Sequence, residues 1–352
     1  MDAHHTMKFL PPSLLSTPFT PVAEGPADTR AGKTVIDGAV DLGDSLRTCD
    51  LDRPPSLTVR PSTSPRWPAD TLTARWHADW RERHADEYSG PKVAVHRLRT
   101  RAGGQSEIEV TPTDWGQVQG AQAGFLALHG HSPGRTAFLS ELLSGSRAPV
   151  PNITAVHGVI ETADNMLVMN RRSHHVNYHP LSWSCSFEEG MEPDDLDADS
   201  PAFETAAARG IAEEFGVQAG RDGLTVLGLL GDIAAMSVAA VVHCRIPVPA
   251  ESLGIRPKAA RVPDAWEHTG QVLVPASPES LAGLLLGATV PRSATGPAGS
   301  DPGQGHASSF WHPTSRFRLL LTMLFRFGRT RTAEALARAA AARHGRLAAE
   351  GP

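Results

Sequence analysis

The stretch Phe203-Glu204-Thr205-Ala206-Ala207-Ala208-Arg209-Gly210-Ile211-Ala212-Glu213-Glu214-Phe215-Gly216-Val217 decides the fold of this chain. It predicts a helix. Ala206, Ala207, Ala208 and Ala212 are strong helix formers. Gly216 stands where a helix stops. Phe203, Ala207, Ile211 and Phe215 recur at four-residue spacing and make one apolar stripe. Arg209 lies one turn before Glu213, within pairing reach. Glu213 and Glu214 are about 100 degrees apart on such a helix, so both are expected to flank one edge of a cleft. Two carboxylates on a rigid helix end suit a hard divalent cation such as magnesium, which prefers oxygen ligands.

These residues resemble a known signature. Nudix hydrolases carry a box of the form G-x5-E-x7-R-E-U-x-E-E-x-G-U, where U is a bulky aliphatic residue. Arg209 to Val217 matches the second half at every fixed position but one: Gly210 stands where the family has its first helix glutamate. The upstream half is out of register. The family's earlier Glu would fall on Pro201 and its Gly on Asp195, whereas a glycine occurs at Gly190. A loop insertion of about five residues between Asp194 and Ser200 accounts for the offset, since surface loops tolerate insertions. Glu188, Glu189, Glu192 and Glu204 are all candidates to replace the carboxylate missing at Gly210, and the sequence does not choose among them. The plain alternative is an ordinary amphipathic helix with surface glutamates.

The resemblance implies an α/β fold: a Nudix-type α/β/α sandwich with a mixed sheet, plus an N-terminal α+β extension and C-terminal helices. It implies magnesium-dependent hydrolysis of the pyrophosphate of a nucleoside diphosphate linked to another moiety, with manganese as the alternative ion. The catalytic residues it points to are Glu213, Glu214 and Arg209, Arg209 orienting Glu213 through an ion pair. The metal ligands it points to are Glu213 and Glu214, joined by Glu267 from Asp264-Ala265-Trp266-Glu267. Arg171 and Arg172 end a strand where the family's arginines face the ligand; solvated strand-end charge is the other reading. Gly210 shares the face of Glu213 and Glu214, and an interior glycine costs a helix about 1 kcal/mol relative to alanine. A second hypothesis is therefore a catalytically impaired Nudix domain acting as a nucleotide-binding or sensor module. A third is an interaction protein that works through its N-terminal helix and C-terminal tail.

Bulk properties narrow the field. The chain has 352 residues, 40% hydrophobic and 20% charged, enough for one large domain or two modest ones. The net charge of -5 supplies no basic field for nucleic acid. The three cysteines, Cys49, Cys185 and Cys244, are too scattered for a disulfide framework or a zinc motif. No apolar run approaches the ~20 residues of a membrane span. Pro11 and Pro12 interrupt the apolar start, so no signal peptide is read and a cytoplasmic protein is expected. Lys8, Lys33, Lys92 and Lys258 are the only lysines among 33 basic residues, a composition of GC-rich bacterial genomes. The expected partner is a nucleotide-linked small molecule, with no nucleic acid and no membrane; an oligomer is left open.

Residues 1–70, rich in Pro, Ser, Thr and Asp, are expected to be poorly ordered, with short strands near Val35 and Leu57. Residues 71–150 read as an N-terminal α+β region: a helix from Thr71 to Glu87, with Leu72, Trp76, Trp80 and His84 at helical spacing and its tryptophans docking onto a sheet, a strand pair Lys92 to Thr111, and a helix capped by Thr113 or Asp114. Leu128 to Gly134 reads as a loop; its His129 and His131 are two solvated side chains rather than a metal site. Residues 151–290 are the expected Nudix-like domain that the resemblance implies, with a hairpin over Asn152–Asn170, strands near Leu224, Ala239 and Val272, and a helix capped by Ser277. Residues 291–308 read as a flexible linker. Residues 309–352 read as C-terminal helices: one from Trp311 to Phe327 that docks on the main domain, and a solvated or partner-facing one from Thr332 to Ala349.

Overall fold

A computed structural model of the chain describes residues 35–36, 39–41, 57–62, 67, 70–87, 89–101, 105–196, 201–254, 267–286 and 311–350. The expected insertion loop (in part) and linker, and much of the N-terminal segment, lie outside these residues. In chain order the strands are β1 (Val35–Ile36), β2 (Ala39–Asp41), β3 (Leu57–Pro61), β4 (Pro91–Arg101), β5 (Gln105–Asp114), β6 (Thr154–Glu161), β7 (Met166–Arg172), β8 (Trp183–Cys185), β9 (Phe187–Gly190), β10 (Leu224–Asp232), β11 (Ser237–Arg245) and β12 (His268–Pro275). The principal helices are α1 (Thr71–Arg83), α2 (Trp115–His129), α3 (His131–Leu143), α4 (Ala202–Phe215), α5 (Pro278–Leu286) and α6 (Ser315–Glu350).

The main sheet runs β1-β2-β10-β11-β6-β7-β12, with β8 beside β7 and β9 beside β6. β11 and β6 are parallel and the other pairs antiparallel, so the sheet is mixed. Strand alternation sends successive side chains to opposite faces. Val156 and Ile160 of β6 and Val238, Ala240 and Val242 of β11 join one core. Ala155, Val159, Ala239 and Val241 join the other. Helix α4 closes the first core with Phe203, Ala207, Ile211 and Phe215, the stripe read from the sequence. It stops at Gly216, whose φ of 63° is left-handed, as glycine permits. Leu281 and Leu285 of α5 and Phe317 and Leu320 of α6 close the second core. The result is an α/β/α sandwich with an N-terminal α+β extension and C-terminal helices.

One departure from a plain hairpin shapes everything at the site. β6 and β7 pair only at Glu161 and Leu167, then splay apart. β8 and β9 fill the gap. The segment before α6 then seals β8: His312 N–H donates to Trp183 O at 2.8 Å, and Cys185 N–H donates to Ser315 Oγ at 3.1 Å. Arg318, fully buried, donates through Nη1 to Cys185 O at 2.7 Å and Phe187 O at 3.2 Å, and through Nη2 to the Glu188 carboxylate. Arg326 donates to Glu161 at 2.8 Å, pinning the same helix to the sheet again.

The N-terminal unit has its own sheet, β3-β5-β4. Asp114 caps α2 by accepting from Gln117 N–H. The tryptophans of α1 dock on α2 rather than on the sheet, a correction with a steric cause. Gly116, Gly120 and Gly124 recur every fourth residue and open a groove along α2. A Cβ on Gly124 would sit 2.1 Å from the Trp76 ring, and one on Gly116 would sit 2.8 Å from Trp80. The loop expected at Leu128 to Gly134 is a second correction: Gly130, at φ 79°, breaks α2 from α3 by itself, and His129 and His131 are exposed helix-end residues. Val93 N–H donates to Met191 O at 3.0 Å, and the Asn152 side chain bonds both Val95 N–H and Val95 O, so β4 is stitched to the main unit.

Two corrections concern the C-terminal end. The last helix starts at Ser315, not Trp311, and bends at Gly328 (φ 75°). From Thr332 to Arg343 the helix is not a solvated tail: Ala335, Leu336 and Ala340 are buried against the second core. Ala335 and Ala340 carry that contact together with Leu336. Among the described residues no helix is long and apolar enough to cross a membrane.

Replacing Arg318 with methionine leaves Glu188 enclosed with one guanidinium instead of two and strips two strand carbonyls of their donor. We expect a loss of about 3–5 kcal/mol in urea unfolding. A loss below about 1 kcal/mol would show that α6 docks by apolar packing alone.

Candidate functional site

A cavity of about 680 Å³ opens where the splayed hairpin, α4, the N-terminal unit and the segment before α6 meet. Its floor is β9. Phe187 points into the first core over Gly158, where a Cβ would lie 1.9 Å from the Phe187 ring. Glu188, Glu189 and Gly190 then line the cavity.

Arg209 of α4 organises the acidic wall. Its Nε and Nη2 donate to the two oxygens of Asp195 at 3.2 and 2.8 Å. Nη1 donates to Glu189 at 2.9 Å and Glu213 at 3.1 Å, and Nη2 also reaches Gly190 O at 2.9 Å. A guanidinium offers its donors in a fixed planar fork, so one side chain sets the relative positions of three carboxylates. Burial pushes the Glu189 carboxyl up to about 7; Arg209 and Lys92 oppose that shift without cancelling it. The space that the family's glutamate would fill from position 210 is taken: a Cβ on Gly210 would lie 3.0 Å from both Glu189 Cβ and the Phe187 ring.

Glu188 is enclosed between Arg172 and Arg318 and also accepts from Ser184 Oγ. Burial alone would raise its carboxyl, but the two guanidiniums outweigh burial and hold it well below the usual carboxylate range. Lys92 of β4 reaches in from the N-terminal unit and donates to Glu192 at 2.8 Å.

Trp115, Tyr178, Asp232 and His312 also line the cavity. Asp232 Oδ1 accepts from Ala234 N–H at 2.9 Å and Ala235 N–H at 3.1 Å, while Oδ2 lies 3.1 Å from His179 Nε2. Burial would raise the Asp232 carboxyl, but His179 and the backbone donors hold it down at about 2. Burial keeps His157 neutral, lowering it to about 3, and drives His312 well below the usual histidine range.

The residues singled out from the sequence are distributed as follows. Glu213, Glu267, Arg209 and Arg172 line the cavity, together with Glu188, Glu189 and Glu192. Glu214 is not among the lining residues; it is buried and its Oε2 meets His268 Nε2. Arg171 is not among them either, since alternation along β7 puts it on the opposite face from Arg172. Lys92, His157, Asp232 and His312 were not foreseen. Each sits within a run that reads simply as strand, turn or helix start, so no local pattern marks it.

No family model matches this chain, and no curated protein does. Among solved structures it is similar to a MutT protein from Methanosarcina mazei, at 17% identity over 38% of this chain and 82% of that one, with a TM-score of 0.25. It is similar to a MutT/nudix family protein from Enterococcus faecalis, at 16% identity over 35% of this chain and 43% of that one, with a TM-score of 0.24. It is also similar to a bifunctional NMN adenylyltransferase/ADP ribose pyrophosphatase from Francisella tularensis, complexed with AMP and a manganese ion, at 11% identity over 57% of this chain and 48% of that one, with a TM-score of 0.26.

Restoring the missing carboxylate by Gly210→Glu is expected to destabilise the fold by about 1–3 kcal/mol, because the new side chain must displace Glu189 or Phe187. Thermal melting of this single variant checks it; an unchanged or raised Tm would show that the space is free.

Proposed function

We propose that this Nudix-like chain hydrolyses the pyrophosphate linkage of a nucleoside diphosphate joined to another group, with magnesium. The observation that carries the reading is the charge of the cavity. Its lining holds Lys92, Arg172 and Arg209 against Glu87, Glu188, Glu189, Glu192, Glu213, Glu267 and Asp232. All three cations are already paired with carboxylates. A polyphosphate cannot settle in such a field without added positive charge. Glu189 and Glu213, both held by Arg209 Nη1, offer carboxylate oxygens suited to a hard cation, and Glu267 also lines the cavity. Magnesium bound there would offset phosphate charge and polarise the attacking water.

In this reading Glu189 supplies from the strand the carboxylate that Gly210 lacks. Arg209 fixes Glu189 and Glu213 with respect to each other. Arg172 and Lys92 stand at the cavity wall, where phosphate oxygens can share their donors. Trp115 and Tyr178, edge to face with centroids 6.0 Å apart, offer an apolar wall for a base. The volume of about 680 Å³ suits a ligand of nucleotide size.

The test is release of nucleoside monophosphate from a panel of nucleotide sugars, ADP-ribose, dinucleotides and nucleoside triphosphates. Turnover requiring magnesium and falling about 100-fold or more in Glu213→Gln is expected. No turnover in the wild type, with a nucleotide still raising its Tm, would transfer the assignment to a binding or sensor module.

A pH dependence follows as well. A metal ligand must be deprotonated, and Glu189 holds its proton up to about 7. Magnesium affinity is therefore expected to rise between about pH 6 and pH 8, as Glu189 ionises. Isothermal titration at several pH values reads it; affinity flat across that range would exclude Glu189 as a ligand.

A further inference from the structure

We propose that His179, Asp232 and His312 form a second metal site, for a borderline transition ion of the zinc class, beside the cavity that Asp232 and His312 line. One donor atom from each of the three lies within 4.8 Å of the others. Tetrahedral zinc with bonds of 2.0–2.1 Å sets its donors about 3.3 Å apart. The His179 Nε2 to Asp232 Oδ2 distance, 3.1 Å, is already close to that value. The other two edges are at most 4.8 Å, so binding requires the rings to close by up to about 1.5 Å.

Each donor is oriented by a partner of its own. Asp232 commits Oδ1 to two backbone N–H groups and leaves Oδ2 facing His179. Thr314 Oγ1 lies 2.9 Å from His312 Nδ1 and 3.0 Å from His157 Nδ1. A hydroxyl has one proton, so it accepts from one ring and donates to the other. Thr314 N–H at 3.3 Å and Arg318 Nη2 at 3.4 Å also face His312 Nδ1 and can only donate to it, so with no metal bound the ring proton sits on Nε2. Metal binding at Nε2 moves that proton to Nδ1, where Thr314 Oγ1 accepts it and donates to His157 Nδ1. That is the outer-shell arrangement that metal-binding histidines use. His179 stands in left-handed backbone, φ 50°, two residues before Leu181 at φ 62°, and Ser182 Oγ holds its carbonyl at 2.6 Å. The chain adopts this sparsely populated conformation where it brings the His179 ring to Asp232.

The donor chemistry separates this site from the magnesium ligands. Imidazole nitrogens with one carboxylate favour zinc-class ions, whereas an all-oxygen set favours magnesium. Three protein ligands leave one position open. Asp232 and His312 both line the cavity, so the open position faces it and accepts water or an anionic ligand oxygen. The inference does not depend on the hydrolase reading.

The test uses the full chain, stripped of metal and titrated with cobalt(II) in excess magnesium. One equivalent is expected to bind with an intense visible band, and zinc is expected to displace it. His179→Ala and His312→Gln are each expected to weaken binding by about 100-fold or more, while Glu213→Gln keeps the band. No band in the folded wild type would overturn the site. So would a band that survives His179→Ala, or one lost in Glu213→Gln. Circular dichroism establishes that each variant is folded; for a variant that is not, the wild-type titration decides.

Discussion

The Glu188 carboxylate, closed between Arg172 of β7 and Arg318 of α6, is the contact on which the rest of the structure depends. An unpaired buried carboxylate would be severely penalised, so strand and helix must both be in place before Glu188 can be ionised. Arg318 also satisfies the carbonyls of Cys185 and Phe187 on either side of the β8–β9 turn. That turn holds Ser186 at φ 67° and fills the opening of the splayed hairpin. Without α6 the split sheet would expose unsatisfied backbone at the place where the cavity forms.

The cavity is thus a product of three parts far apart in sequence. β9 and α4 bring carboxylates, β4 brings Lys92, and the segment before α6 brings His312. Arg209 does locally what Arg318 does globally: one guanidinium ties β9, Asp195 and Glu213 together. Most charges in the wall are neutralised by neighbours, and the excess is acidic. That excess distinguishes this wall from a simple anion-binding pocket and gives bound cations their place in the proposed chemistry.

The helix at 202–215 was legible because its signals are local: an apolar period, a run of alanines and a terminal glycine. Strands β6, β7, β10, β11 and β12 were legible for the same reason, and Ser277 does cap α5 by accepting from Ser280 N–H. The direction of each glutamate was not. Glu213 and Glu214 are adjacent on one helix, but a cavity edge admits one, and His268, 54 positions away, meets the other. The relation between Gly210 and Glu189 was open among four candidates, because only packing shows that Glu189 and Phe187 fill the space above the glycine. The role of α6 was hidden further still. Arg318 reads as one more arginine in Ser315-Arg316-Phe317-Arg318, and the acid and carbonyls that accept from it when buried lie 130 or more residues earlier.

The central claim is that the strand residue Glu189, not a second helix glutamate, completes the metal-binding acids with Glu213. Manganese(II) binding followed by electron paramagnetic resonance tests it most directly, in wild type, Glu189→Gln and Glu214→Gln, each confirmed as folded by its melting curve. The account predicts that Glu189→Gln loses bound manganese while Glu214→Gln retains it. Retention in Glu189→Gln with loss in Glu214→Gln would contradict it.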